Sequence, residues 1–324
     1  MPHAIRFHET GGPEVLQWEQ VTVGDPGPGQ VRIRHRAAGL NFIDVYHRTG
    51  VYQVPLPSGI GVEGAGLVEA VGEGVNDLQA GDRVAYAGGA PGSYSEVRLM
   101  PADRLVPLPP SISLEQGAAV MLKGLTAQYL LRSTYRVKAG DTILVHAAAG
   151  GVGLIMCQWA RLLGATVIGT ASTDAKAELA RAHGCHHTIV TSRERFVDRV
   201  KAITGGEGLP VVYDSVGRET FMDSLACLRP RGLMVSFGNA SGVVPPFEIG
   251  TLSRMGSLFL TRPTLFGYIA RREELLANAS ELFEAVAGGH VEIAINQTYP
   301  LVEAAQAHRD LEARRTTGST VLIP

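Results

Sequence analysis

The chain has 324 residues, more than one ordinary hydrophobic core accommodates, and this length predicts two domains. Its hydrophobic fraction of 45%, charged fraction of 19% and net charge of -2 indicate a globular protein and offer no electrostatic basis for nucleic-acid binding. No apolar run has the length of a membrane span and residues 1–12 contain no apolar signal core, so we expect no membrane partner and a cytoplasmic location.

Residues 1 to about 122 are predicted to be mostly β-structure. Short runs of partly alternating apolar residues are separated there by breakers rich in glycine and proline. These runs predict strands at residues 4–7, 16–23, 30–36, 61–75, 81–86 and 93–99. A short helix is expected at 41–47, and a capping-box pattern at Ser113 and Gln116 predicts the start of another helix. The composition is typical of a small, irregular barrel-like domain.

The stretch from Asp141 to Lys176 predicts the first βαβ unit of a dinucleotide-binding fold. An apolar run at 142–145 meets a turn of small residues, and the turn opens into a segment with helical apolar spacing. A second apolar run follows at 166–169. In the turn, Gly150 is expected to leave room for a pyrophosphate, and Gly153 is expected to let the helix pack close to the strand.

The end of the second strand of this unit favours NADPH over NADH. Enzymes that use NAD usually place a carboxylate there to bind the ribose 2′-hydroxyl. This chain instead has hydroxyl and small residues at 170–173, followed by Lys176. A lysine and the absence of a repelling carboxylate suit a 2′-phosphate. We expect Asp174 to lie in the first turn of the next helix.

Strand and helix continue to alternate up to about residue 262, which requires a parallel sheet with crossover helices. Strands are expected at 187–190, 211–216, 233–237 and 258–261, and helices at 173–183, 193–204 and 219–228. Residues 239–257 are expected to form a long loop. Further helices at 271–287 and 302–313 and a strand at 320–323 complete the chain. We therefore assign residues 1–122 and 263–324 to one domain and 123–262 to the nucleotide-binding domain.

Several segments together resemble the medium-chain dehydrogenase/reductase superfamily, and in particular its zinc-free quinone oxidoreductase branch. The resemblance covers essentially the whole chain. It rests on NFIDVY at 41–46, GVEGAG at 61–66, AGDRV at 80–84, HAAAGGVG at 146–153, YDSVG at 213–217 and SFGN at 236–239. It implies an α/β protein with a GroES-like β-rich catalytic domain and a Rossmann doubly wound parallel-sheet domain. It also implies NADPH, a quinone substrate and a homodimer.

The resemblance further implies which residues act at the site. It implies that Asn41 and Tyr46 face the nicotinamide and the substrate, which makes both of them catalytic candidates. The sequence itself adds Asp44, which lies on the same segment as Tyr46 and is equally compatible with orienting that tyrosine and with capping local backbone. Tyr46 and Tyr52 are the candidates for substrate binding, and Tyr52 is equally compatible with an ordinary surface position. The implied cofactor contacts are Asn41, Phe42, Ile43, Tyr46, Lys123, Thr126, Ala149, Gly150, Gly151, Val152, Ser172, Lys176, Ser192, Ser215, Phe237, Gly238, Asn239, Leu265, Phe266, Gly267 and Arg314. Relatives often carry a tyrosine where this chain has Ser192.

No metal site is expected. Zinc-dependent members of the superfamily use a cysteine near position 41 and a Gly-His-Glu segment, where this chain has Asn41 and Val62. The cluster of His183, Cys185, His186 and His187 looks metal-like, but its position between a helix and a strand is predicted to direct the side chains to different faces. The three scattered cysteines predict free thiols without a disulfide framework.

These patterns lead to one main functional hypothesis, zinc-independent transfer of hydride from NADPH to a quinone. The first alternative is an NADPH-dependent enone or alkenal reductase on the same scaffold, which would need proton delivery to carbon. A remote alternative is a cofactor-binding structural or RNA-binding protein, against which the near-neutral charge argues.

Overall fold

The computed structural model describes every residue from Met1 to Pro324 and divides the chain into two compact units. The first unit consists of Met1–Leu125, Ile269–Ala287 and Ile293–Pro324, and the second of Thr126–Tyr268 and Gly288–Glu292. The sequence placed residues 263–268 and 288–292 in the first domain and residues 123–125 in the second, whereas the structure groups each of them with the other unit. In the second unit, the backbone of Glu292 exchanges two hydrogen bonds, of 2.8 and 3.1 Å, with the side chain of Gln158. Such a long-range contact leaves no periodic signal in the sequence.

The regular elements follow one another along the whole chain. The strands are β1 (His3–Phe7), β2 (Gln17–Gln20), β3 (Gln30–Leu40), β4 (Ser58–Gly59), β5 (Glu63–Val71), β6 (Arg83–Ala87), β7 (Val97–Pro101), β8 (Val106–Pro107), β9 (Thr142–Val145), β10 (Thr166–Ala171), β11 (His187–Val190), β12 (Leu209–Asp214), β13 (Leu228–Ser236), β14 (Phe259–Thr261), β15 (Ile295–Pro300) and β16 (Ser319–Ile323). The α-helices are α1 (Phe42–Arg48), α2 (Leu114–Tyr129), α3 (Gly151–Leu162), α4 (Asp174–Ala182), α5 (Phe196–Ile203), α6 (Phe221–Leu225), α7 (Gly250–Arg254), α8 (Leu265–Tyr268), α9 (Arg272–Ala287) and α10 (Ala304–Glu312).

The first unit is built on two sheets. The larger sheet has the strand order β15-β16-β3-β5-β6-β8, with β7 also paired to β3, and the smaller sheet has the order β2-β1-β4. All of these pairs are antiparallel except β15 with β16. Along β3, Val31, Ile33 and His35 are buried and the arginines between them are more exposed, as the alternation predicted. Strand β3 of this sheet leads directly into α1.

The second unit contains a six-stranded parallel sheet in the order β11-β10-β9-β12-β13-β14. Every residue of β12 is buried, as expected for a parallel strand whose two faces are covered by helices. The predicted α/β fold class, with a β-rich domain and a doubly wound parallel sheet, is confirmed. No helix in the structure combines the length and the apolarity that crossing a bilayer requires.

The differences from the sequence prediction at β15, β13 and α7 have clear physical reasons. β15 was missed because its residues alternate between half-buried and exposed, so it carries little apolar signal. β13 begins at Leu228 rather than near residue 233, since Pro230 and Gly232 interrupt the strand pattern. The predicted loop at 239–257 contains the short helix α7, none of whose residues is buried. An element without a buried face has no hydrophobic periodicity to detect.

Candidate active site

The chain leaves β3 at Leu40 and enters α1 at Phe42, so Asn41 is the N-cap residue and has an extended backbone. The backbone N–H of Asn41 donates to Asp44 Oδ2 at 2.9 Å. Its side-chain Nδ2 donates to Glu63 Oε2 at 2.8 Å. Asn41 is buried, so two carboxylates fix its orientation from within the first unit.

Glu63, the first residue of β5, is a carboxylate with no exposed surface. Its Oε2 accepts from Lys123 Nζ at 2.8 Å as well as from Asn41, and its Oε1 accepts from the backbone N–H of Leu122 at 2.7 Å. A buried carboxylate is stable only when it is paired and hydrogen-bonded in this way. Gly39 permits the approach, because a Cβ there would lie 2.2 Å from Glu63 Oε2. Glu63 Oε2 thus accepts hydrogen bonds from two of the predicted site residues.

The role of Glu63 was missed in the sequence. The signal was a carboxylate inside the glycine-rich apolar segment GVEGAGLV, which implies a buried partner. Lys123 was the matching signal, since it is a cation in the apolar helical run AAVMLKGLTA. Residue types indicated that each needed a partner, but only the fold shows that they pair with each other.

Asp44 lies in the first turn of α1 and is completely buried. Its Oδ2 accepts from the Asn41 N–H and from the Tyr94 hydroxyl at 2.9 Å, whereas its Oδ1 has no hydrogen-bond partner. Burial raises the pKa of Asp44 to about 7, and the hydrogen bonds from Asn41 and Tyr94 oppose this rise. The backbone cap considered for Asp44 is therefore present. The carboxyl group also titrates near neutrality, where a general acid is most effective.

Aromatic rings cluster along α1 and the loop that follows it. The ring centroids of Phe42 and Tyr46 are 6.2 Å apart, and those of Tyr46 and Tyr52 are 5.2 Å apart in an edge-on arrangement. The Tyr52 N–H donates to the Tyr46 carbonyl at 3.0 Å, which holds the loop against the helix. Tyr46 is buried and Tyr52 is 37% exposed. The rings offer π-faces and edges on which a planar ligand can stack.

In the second unit, the glycine turn connects β9 to α3. Gly150 is the N-cap residue of α3, a helix of 12 residues. A Cβ on Gly153 would lie 2.4 Å from the Ala147 carbonyl oxygen, so this glycine is required for the close approach of the helix to the turn, where the sequence predicted a close approach to the strand. In the usual dinucleotide-binding pattern, G-x-G-x-x-G, Ala148 stands at the position of the first glycine. Its Cβ fits because the facing residue, Gly169, has none.

The remaining predicted cofactor contacts of this unit mostly follow the carboxyl ends of its parallel strands. These ends meet at one edge of a parallel sheet, which is where ligands bind in open α/β folds. The residues brought to this edge are Ala149, Gly150, Gly151 and Val152 after β9, Ser172 after β10, Ser192 after β11, Ser215 after β12, and Phe237, Gly238 and Asn239 after β13. The order of strands therefore assembles positions that lie far apart in the sequence.

The end of β10 has the predicted arrangement around α4. Thr173 is the N-cap residue, and its Oγ1 accepts from the Lys176 N–H at 3.3 Å. Asp174 begins α4, as expected, and its carboxylate forms an ion pair with Arg193. Ser172 is half-buried beside these residues. The carboxylate of Asp174 is thus already held by a cation.

The other implied contacts lie on separate elements. Lys123 and Thr126 are both buried in α2, on either side of the division between the two units. Leu265, Phe266 and Gly267 belong to α8, where Phe266 and Gly267 are exposed. Arg314 follows α10 in the first unit and has a positive φ of 58°.

No group of three or more His, Cys, Asp or Glu side chains is arranged to hold a metal ion. In the cluster after α4, His183 Nδ1 is 2.8 Å from a carbonyl oxygen of its own helix, and His186 Nδ1 accepts a backbone N–H of β10 at 3.0 Å. Cys185 is buried, with its Sγ 3.2 Å from Cys157 Sγ. These side chains therefore have partners within the fold of the second unit. The three cysteines are free.

Comparisons with known proteins cover both units. The family described as alcohol dehydrogenase GroES-like domain matches residues 27–110, and the family described as zinc-binding dehydrogenase matches residues 151–285. A quinone oxidoreductase of Pseudomonas aeruginosa is 56% identical over 325 residues, covering 100% of both chains. A 2-haloacrylate reductase of a Burkholderia species is 50% identical, covering 100% of this chain and 99% of its own.

A solved structure is similar over the same length. The crystal structure of Escherichia coli quinone oxidoreductase complexed with NADPH has a TM-score of 0.98 to this chain at 52% identity. The match covers 99% of this chain and 100% of the other. The similarity therefore extends over both units, including the part of the first unit that contains Asn41, Glu63 and Lys123.

Proposed function

Because the chain belongs to the quinone oxidoreductases of the medium-chain dehydrogenase/reductase superfamily, we propose that it is an NADPH:quinone oxidoreductase that acts without zinc. The observation that carries this proposal is the buried carboxylate of Glu63, which holds the Lys123 ammonium and the Asn41 amide on one oxygen. Asn41 and Val62 stand where zinc-dependent relatives have metal ligands, and neither supplies a thiolate or imidazole. The cation of Lys123 provides positive charge in this part of the first unit.

The second unit fits a dinucleotide that carries a 2′-phosphate. The N-terminal N–H groups of α3 and the bare backbone of Gly150 suit the pyrophosphate. At the end of β10, Ser172 and Lys176 offer a hydroxyl and a cation to the 2′-phosphate, while Arg193 neutralises Asp174. Ser192 can add one hydrogen bond. NADPH, when bound, supplies the hydride.

The roles of the first-unit residues follow from the charge that a quinone acquires on reduction. Negative charge develops on its oxygens, and donors fixed in advance stabilise that charge without reorganising. We assign hydrogen-bond donation to Lys123, whose ammonium has further donors beside the one that Glu63 accepts. Asn41 helps to fix Glu63, since its amide donates to Glu63 Oε2 and to the Gly39 carbonyl. Asp44 is the group that can supply a proton near neutral pH. Tyr46 and Tyr52 contact the ring of the substrate through their aromatic faces.

The direct test is the oxidation of NADPH, followed by the absorbance of the reduced nicotinamide, with 1,4-benzoquinone, 9,10-phenanthrenequinone and a simple enone in parallel. We expect rapid quinone turnover that prefers NADPH to NADH and that a chelator leaves unchanged. Loss of activity with the chelator would contradict the zinc-independent mechanism. Turnover of the enone alone would contradict the quinone assignment.

A second candidate activity is the reduction of an activated alkene. The name of the relative from Burkholderia, 2-haloacrylate reductase, makes its substrate an alkene activated by a carboxylate. Such a reaction needs a proton at carbon, for which Tyr46 and the titrating carboxyl of Asp44 are the available donors. The enone arm of the experiment above distinguishes this activity from quinone reduction.

We further propose a homodimer in the cytoplasm. β14 is an edge strand of the parallel sheet, and Phe259 on it is 61% exposed. Val243 and Ile249, in the segment that precedes β14, are also exposed. An unpaired strand edge next to exposed apolar side chains is suited to pairing with a second copy. Free, buried thiols are typical of a reducing compartment.

A further inference from the structure

A line of buried polar side chains joins Asp44 to the surface of the first unit. The Tyr94 hydroxyl donates to Asp44 Oδ2 at 2.9 Å and lies 3.4 Å from His308 Nε2. The other ring nitrogen of His308, Nδ1, is 2.9 Å from Nη1 of Arg48. Arg48 Nη2 in turn donates to Glu312 Oε1 at 2.8 Å. Tyr94, His308 and Arg48 are at most 1% exposed, whereas the side chain of Glu312 is 34% exposed.

Arg48 determines the direction in which the hydrogen bonds along this line are donated. A guanidinium has only donors, so Nδ1 of His308 must accept from Arg48. Burial and, to a smaller extent, the charge of Arg48 lower the pKa of His308 to about 3, so the ring is neutral at ordinary pH. A neutral ring that accepts at Nδ1 carries its proton on Nε2, which faces the Tyr94 oxygen. The Tyr94 proton is then directed at Asp44.

The two oxygens of Asp44 are consequently unequal. Oδ2 accepts two donors, the Asn41 N–H and the Tyr94 hydroxyl. Oδ1 is buried and has no protein partner. A carboxyl oxygen that already accepts two hydrogen bonds is a poor site for a proton, since protonation would turn it into a donor facing other donors. When Asp44 is protonated, the proton therefore resides on Oδ1.

We propose that Arg48, His308 and Tyr94 are positioning residues that keep the exchangeable proton of Asp44 on Oδ1, from which it is delivered to the substrate. This proposal rests on the proposed function and deepens it. Transfer of hydride to a quinone produces a hydroquinone anion, and the O–H bond of Asp44 breaks as a new O–H bond forms on that anion. The carboxylate left on Asp44 then regains a proton from solvent water.

Several charged and titratable groups face Asp44 from the elements packed around it. Lys123 in α2 favours the carboxylate, and Glu63 in β5 disfavours it. Tyr94 contacts it directly, and burial and the adjacent Asp44 raise the pKa of this tyrosine well above its usual value, so it stays protonated. His308 in α10 stays neutral. A titration near neutral pH in this region is therefore that of Asp44.

The experiment is an infrared titration of the whole protein without quinone, from about pH 5 to about pH 9, which follows the carbonyl stretch of protonated carboxyl groups. Asp44→Asn identifies the band that belongs to Asp44. Tyr94→Phe should raise its midpoint by about one pH unit or more, because the carboxylate loses a donor. His308→Leu should raise it as well. His308→Gln should restore it, because an amide can both accept from Arg48 and donate to Tyr94.

The same variants should move the pH profile of kcat in the direction of the infrared midpoint, with little change in the KM for quinone. An unchanged midpoint in Tyr94→Phe, with a normal circular dichroism spectrum, would overturn the proposal. Tyr94→Phe decides the matter even if His308→Leu does not fold. If the wild-type protein reduces no quinone, the proposed function fails, but the infrared midpoints still decide whether the chain controls Asp44.

Discussion

At the scale of single residues, the pair of Glu63 and Lys123 offers the clearest energetic test. We predict that Lys123→Met lowers the free energy of unfolding by about 3–5 kcal/mol, because it leaves the buried carboxylate of Glu63 without its cation. The double variant with Glu63→Gln should be less destabilised than the sum of the two single variants. Urea unfolding followed by circular dichroism measures all of these values. Lys138→Met, at an exposed lysine, is the matched control and should change little.

Strictly additive losses in this cycle would show that the two charges do not interact. The quinone reductase activity of the same variants provides a second, independent test. The double variant should stay inactive with quinone even where its stability recovers, since it lacks the ammonium group assigned to the developing oxyanion. Recovery of both stability and activity would contradict that assignment.

The individual site residues could be predicted only in part from the sequence. Asn41 and Lys123 were singled out through the resemblance and Asp44 through its position beside Tyr46, and the structure places all three around Glu63 and Tyr94. Glu63 and Tyr94 were not assigned to the site. Their hydrogen bonds to these three residues span 22 to 60 positions, for example 50 positions between Tyr94 and Asp44. A residue type shows that a buried group needs a partner, whereas the fold decides which partner it finds.

At the scale of elements, two glycines in the turn before α3 have different roles, one in packing and the other in binding the cofactor. We predict that Gly153→Ala lowers stability by about 1–3 kcal/mol, because its Cβ would lie 2.4 Å from the Ala147 carbonyl oxygen. Gly150→Ala should affect stability much less, since its Cβ would lie 3.2 Å from the same oxygen. It should instead weaken NADPH binding, because the methyl group occupies space assigned to the pyrophosphate. Thermal unfolding and fluorescence titration measure the two effects.

The two variants serve as controls for each other. Equal NADPH affinity in Gly150→Ala and the wild-type protein would refute the place given to the pyrophosphate. An unchanged melting temperature in Gly153→Ala would show that the turn relaxes at little cost. The pair thus distinguishes a glycine needed for the fold from one needed for the ligand.

Elements with a buried face were predictable, and elements without one were not. The strands and helices from β9 to β12 were anticipated because parallel strands and amphipathic helices leave strong apolar patterns. The capping box at Ser113 and Gln116 is also confirmed, by reciprocal hydrogen bonds of 2.8 and 3.1 Å. β15 and α7 have weakly apolar or exposed residues, so their existence depends on neighbours that the local sequence does not specify.

At the scale of the whole molecule, the strand order determines which surface is open to association. β14 has a strand neighbour on one side alone, so its other side is an edge of the sheet. It is short and carries a large exposed aromatic side chain, Phe259. No charge from a lysine or glutamate lies within its three residues to discourage pairing. Antiparallel pairing of two β14 strands across a twofold axis would join two six-stranded sheets into one.

We therefore predict that the wild-type protein has twice the mass of the chain in solution and that Phe259→Asp reduces it to a monomer. A carboxylate on β14 would be repelled by its own copy across the twofold axis and would remove apolar area from the contact. Multi-angle light scattering after size exclusion measures the mass. Val302→Asp is the matched control, because it also places a carboxylate at an exposed apolar position but lies in the first unit, and it should remain dimeric. A dimeric Phe259→Asp protein would move the interface away from β14, and a monomeric wild-type protein would refute the dimer itself.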